Sequence, residues 1–151
     1  MIEYAAVTQL SDRLKKAVDL APVVVEFWLH KMVGPAMVRE MKDAAPVKSG
    51  KLRDAIRALN EPMKVRVGPF GVEYNQFVVE GTKPHTIKPK NASTLRFKIG
   101  GVTYYAKSVK HPGTRPNPYM TVSSKKVMER MLPRLAQLQI DVIKTGKRPH
   151  G

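Results

Sequence analysis

"AAPVKSGKLRDAI", residues 44–56, is the turning point of the sequence. Before it, apolar residues recur at helical spacing; beyond Pro62 they recur at every second position. That change of period predicts helices first and antiparallel strands afterwards. "AAP" ends the helical run, because proline disfavours helical geometry in the residue before it. Ser49 is then placed to cap a short helix that turns Leu52, Ala55 and Ile56 inward.

Toward the N-terminus, Ala5, Leu10, Leu14, Ala17 and Val18 predict a helix from Met1 to about Leu20. Pro22 is expected in the first turn of a second helix, where its missing N–H costs nothing. Val24, Phe27, Trp28, Met32, Met37, Val38 and Met41 carry the stripe toward Ala44, with Pro35 expected to kink or divide it. Toward the C-terminus, "KVRVG", "VEYNQFVVE", "TLRFKIG" and "VTYYAKSV" read as strands rich in β-branched and aromatic residues. Gly100-Gly101 signals a two-residue hairpin turn, and "GPFG" at 68–71 a longer one.

Asn117-Pro118 is expected to open a final helix, with Met120 at the start of its inner face. Val127, Met131, Leu135, Leu138 and Val142 form one seam along it, and Pro133 should bend it. The expected fold is α+β: N-terminal helices, an antiparallel sheet of four to five strands with a long basic hairpin region, and a long C-terminal helix. A single domain is expected over residues 1–144, followed by a basic disordered tail at 145–151.

Charge is the strongest compositional signal. The 151 residues carry a net charge of +15 with 42% apolar residues and no cysteine. Disulfides and thiolate metal sites are therefore excluded, and the composition suits a reducing compartment. No run of about 18 apolar residues occurs, and the N-terminus lacks the pattern of a secretory signal. From residue 81 to residue 128 there is no Asp or Glu at all, while ten Lys and Arg residues lie there. Such a segment attracts phosphate backbones or acidic protein surfaces.

Within it, "VVEGTKPHTIKPK" (78–90) and "VKHPGTRPNPYM" (109–120) echo one another: Gly-Thr, a cation, a proline and a nearby histidine. Glu80, His85, His111 and His30 suit a divalent metal by ligand type, but no H-E-x-x-H, paired carboxylates or ligand spacing accompanies them. Histidines at loop ends account for them better. No serine sits in a nucleophile elbow, and Ser49-Gly50 lacks the rest of a phosphate loop. Phe70, Tyr74, Phe77, Phe97, Tyr104 and Tyr105 beside cations suit a stacking platform for single strands, although alternation more often turns such rings into a core.

Three stretches together resemble the tail-completion, or head–tail joining, proteins of tailed bacteriophages. "AAPVKSGKLRDAI" resembles that family's A-P-x-x-[ST]-G-x-L-R segment. "VEYNQFVVEGT" is similar to its Y-[AG]-x-[FY]-[VL]-E-x-G-T strand and turn. "HPGTRPNPYM" is similar to its Gly/Pro-rich loop before the last helix. The order matches across residues 44–120; Asn75 stands where a small residue is commoner.

The resemblance implies a structural virion protein of the phage neck rather than an enzyme. It would act without a cofactor in a ring, six-fold in the particle, around the DNA channel. Its implied partners are copies of itself, neighbouring connector and tail-terminator or tail-tube proteins, and DNA held by non-specific electrostatics, with no membrane. It would reside in the virion, and in the host cytoplasm during assembly. Gly50, Leu52, Arg53, Glu80, Gly81, Pro112, Gly113 and Pro118 would then be structural motif residues. Lys83, Lys88, Lys90, Lys107, Lys110 and Arg115 would face the DNA lumen or a partner. A different class remains open on charge alone: a basic nucleic-acid-binding protein acting in solution.

Overall fold

The computed structural model describes residues 4–149, and the side chains from Val7 onward. Its contacts divide into two compact units, one holding the chain up to Val72 and from Tyr119 onward, the other Glu73–Pro118.

In the first unit, α1 (Tyr4–Phe27) passes into a π-helical segment (Trp28–Val33) and then α2 (Gly34–Ala44). The part of the predicted first helix at Met1–Glu3 lies outside the described residues. Pro22 does not open a new helix: it sits inside α1. Its lost N–H bond and the displaced turn cost about 3 kcal/mol in a helix interior. Pro22 is exposed, so water can serve the freed carbonyl. Downstream, burial of Val24 and Trp28 keeps the stripe in register.

Pro35 does divide the run. The turn before it widens, so that the Gly34 N–H donates to Leu29 O, five residues back. Gly34 also lets α2 approach the strands: a Cβ there would lie 3.1 Å from Val65 Cγ2. After α2 comes the short α3 (Lys51–Ala55). Its cap is not Ser49: Gly50, at φ 81°, holds the N-cap position with no side-chain cap bond. Leu52 and Ile56 are buried as expected.

A hairpin comes next, β1 (Ile56–Glu61) with β2 (Lys64–Pro69), paired from Ile56↔Pro69 to Glu61↔Lys64. Local pattern gives no sign of β1 and points to "GPFG" as the turn. The turn is instead Pro62-Met63, with Met63 at φ 54°. His30 secures it: its Nε2–H donates to Glu61 O and Lys64 O, each at 3.0 Å.

The long α5 (Tyr119–Thr145) closes this unit and contains Pro133 without ending there. Trp28, Val33, Val127 and Met131 form the core centre, with Met32, Met37, Val65, Leu135 and Leu138 packed around it. The Trp28 indole N–H donates to Met131 O at 2.9 Å, so the largest buried ring carries no unmet polar atom. Two further ties join α2 to α5: Ser123 Oγ donates to Glu40 O at 3.3 Å, and Lys126 Nζ pairs with Glu40 Oε1.

The second unit contains α4 (Asn75–Glu80), β3 (His85–Ile87), β4 (Leu95–Ile99), β5 (Val102–Ala106) and β6 (Val109–His111). "VEYNQFVVE" is thus not a strand. Gly81 at φ 73° ends α4, and a Gln76–Glu80 hydrogen bond of 3.2 Å braces it at i,i+4 spacing. The α+β class stands, with long helices at either end and short antiparallel strands between. Those strands form three two-stranded ladders, β1–β2, β3–β6 and β4–β5, rather than one sheet of four to five. Beyond Thr145, residues 146–149 have no regular secondary structure; the rest of the predicted tail lies outside the described residues.

Candidate functional site

The two echoing stretches are paired with one another. Thr82 N donates to Thr114 O and Thr114 N to Thr82 O, both at 3.0 Å. From this bridge the ladder runs outward through His85↔His111, Thr86↔Lys110 and Ile87↔Val109. It resumes at Leu95↔Ala106 and ends at Ile99↔Val102, where Gly100 and Gly101 close the turn at φ 56° and 85°. Residues 82–114 therefore make one nested antiparallel arm.

Its two sides are unequal in length. Between Ile87 and Leu95 the outgoing side carries "KPKNAST", whereas Lys107-Ser108 alone spans the same gap on the return. The extra residues cannot pair, and they separate the arm's two ladders.

The stem is locked by glycine. Gly81 and Gly113 lie at φ 73° and 87°. A Cβ on Gly81 would fall inside contact distance of Thr114 O, and one on Gly113 inside contact distance of Thr82 O. Each echo thus needs its glycine because the other echo's backbone occupies the space of a side chain. Asn117 N donates to Val78 O at 3.0 Å, tying the end of the return strand to α4.

His85 and His111 meet across the ladder with ring centroids 5.0 Å apart and planes tilted by 33°. His85 Nδ1–H donates to Lys83 O at 2.9 Å, while His111 Nδ1 accepts from Gly113 N at 3.1 Å. Both rings hold backbone turns. Glu80 instead bonds Gln76, and His30 lies in the other unit on the β1–β2 turn. Among the described residues, no three His, Asp or Glu side chains converge as a metal site would require.

The six cations singled out in the sequence, Lys83, Lys88, Lys90, Lys107, Lys110 and Arg115, all belong to this unit and all are exposed. Pro112 is exposed beside Gly113, and Pro118 is the exposed last residue of the unit. Gly50, Leu52 and Arg53 lie in the first unit, with Leu52 buried and Arg53 exposed.

The outer ladder adds something that counting cations does not show. Arg96 opposite Tyr105 and Lys98 opposite Thr103 share one face. Leu95, Phe97 and Ile99 with their partners Ala106, Tyr104 and Val102 share the other. Phe97 and Tyr104 stack at 6.0 Å within that apolar face. Strict alternation in "LRFKI" was the available signal; only the register showed that β5 alternates in phase with it.

The chain belongs to the family described as "Bacteriophage HK97-gp10, putative tail-component", which matches residues 8–109, more than half its length. It is a member of a phage head–tail joining, tail-completion family of structural tail components. No curated protein and no solved structure matches it. No helix among the described residues is long and apolar enough to cross a membrane.

Proposed function

We propose that the chain completes the tail and joins it to the DNA-filled head, as one subunit of a six-membered ring around the DNA channel. The observation that supports this most is the arm. It exposes seven cations, Lys83, Lys88, Lys90, Arg96, Lys98, Lys107 and Lys110, on a segment without one carboxylate, and Arg115 follows directly. Lysines spread over an extended hairpin suit phosphates passing in any sequence and register, which is what a channel requires. The same charge suits docking on acidic neighbours, where it guides encounter and register.

Electron microscopy of lysates from a phage lacking this gene tests the joining role. Filled heads beside separate tails are expected, with joined particles restored when the gene is supplied in trans. Intact joined particles without it would overturn the reading. A DNA-binding protein acting in solution would instead show tight duplex binding by the isolated chain. Its log affinity would fall with log salt at a slope set by the phosphates neutralised, and the slope would shrink in Lys88→Ala and Lys90→Ala variants.

A further inference from the structure

The first unit carries an unfinished helix seam. In α1, Val7, Leu10, Leu14, Ala17, Ala21 and Val24 step alternately by three and four residues, and Trp28 completes the stripe. This is the heptad spacing by which one helix packs along another. At its C-terminal end the stripe is covered: Val24 and Trp28 are 1% and 4% exposed. At its N-terminal end it is bare, with Val7, Leu10 and Leu14 at 54%, 53% and 46%.

The reason is that α5 ends too soon. The helices run antiparallel, with Trp28 against Met131 and Lys16 beside Gly146, the residue after the last of α5. The turns of α1 before Lys16 therefore overhang. From Val7 to Lys16 they extend about 13 Å at 1.5 Å per residue. Past α5 the described chain has Gly146, Lys147, Arg148 and Pro149, which cannot supply an apolar cover.

We infer that the overhang is a docking seam for an amphipathic helix of another protein, one carrying acidic residues beside its apolar stripe. Continuity supports a helix as occupant, because the bare stripe prolongs the α1–α5 seam at the same spacing. Charge supports an acidic one. Arg13 and Lys15 flank the stripe, and Lys144, Lys147 and Arg148 stand at the end of α5, against Asp12 and Asp19. A second copy would present the same Arg13 and Lys15 beside its own stripe, and so lacks the acidic flank this seam favours. The seam stands apart from the ring and channel reading, since it uses no residue of the arm.

The test uses the full chain and two labelled three-heptad helical peptides, both with Leu at the seam positions. One has Glu at the flanking positions and the other Lys. By fluorescence anisotropy at low salt, the Glu peptide should bind in the micromolar range, at least tenfold tighter than the Lys peptide. Leu10→Ser with Val7→Ser should weaken it at least tenfold, with helix content and melting temperature unchanged, because both positions are exposed. Sedimentation of the protein alone should show that this seam does not mediate self-association. Binding of neither peptide, equal binding of both, or binding that survives the double substitution would overturn the proposal. So would an oligomer dissolved by that substitution, which would assign the seam to a second copy.

Discussion

Replacing Gly81 by alanine should open the stem of the arm. Two costs add. Gly81 lies at φ 73° and ψ −175°, a region reached almost only by glycine, and an alanine held there is strained by about 1–3 kcal/mol. The new Cβ would also collide with Thr114 O and crowd the Pro116 nitrogen, which are backbone atoms that no rotamer change moves aside. Relief requires parting the Thr82–Thr114 bridge, whose two hydrogen bonds are worth about 1 kcal/mol each. The stem should lose about 3–5 kcal/mol in all, or as much local stability as it possesses.

Gly71 supplies the control. It has the same φ of 73° but nothing within 4 Å of a Cβ, so Gly71→Ala carries the strain without the collision. Native-state hydrogen exchange at Thr82 and Thr114 reads the difference. Gly81→Ala should reduce protection there by about a hundredfold to a few thousandfold, or abolish what protection the stem has, since each 1.4 kcal/mol is roughly a factor of ten. Gly71→Ala should leave those two amides unchanged. Unaltered protection in Gly81→Ala would refute the account of a locked stem.

Other perturbations address the first unit. Leu52→Asp puts a carboxylate at a 4% exposed position and should cost at least about 3 kcal/mol, read as loss of the cooperative thermal transition. Met63→Asn should raise stability by about 0.5–1 kcal/mol in urea unfolding, because Asn tolerates the left-handed conformation that Met63 adopts at φ 54°. The hydrogen bond from Lys126, helped by the positive charges of Lys126, Arg130 and Arg39 and opposed by desolvation, holds the Glu40 carboxyl below its ordinary range. Its stabilising effect is therefore present above that range and lost as pH falls through the lowered value. Glu40→Gln should flatten that part of the acid limb in pH-dependent melting curves, and an unchanged limb would count against the pairing.

Much is legible in the sequence. The succession of helices then strands, the apolar seam from Val127 to Val142 and the Gly100-Gly101 turn all follow local pattern, although the first strand begins at Ile56, before the Pro62 at which the period changes. Each rests on chemistry within a few residues: spacing along a helix, or glycine's freedom at positive φ. The family is legible too, because its turn residues stand in order along the chain. Two of the errors share one cause. Local preference makes Pro22 a helix start and "VEYNQFVVE" a strand, and each is overruled by what the segment joins. A stripe buried from Val24 onward carries α1 through its proline, and a stem that begins at Gly81 leaves the preceding residues no strand to pair with.

The sequence by itself determined the class of the fold, the acid-free segment and the recurrence of Gly-Thr in both echoes. Only the tertiary structure decided that the echoes are each other's partners. A glycine's need for empty space depends on which distant backbone arrives there, and spacing along the chain does not encode that. Likewise the seven-residue rhythm from Val7 to Trp28 was present in the letters all along. Where α5 stops beside it, and so which part of the rhythm is left bare, is a property of two helices packed side by side.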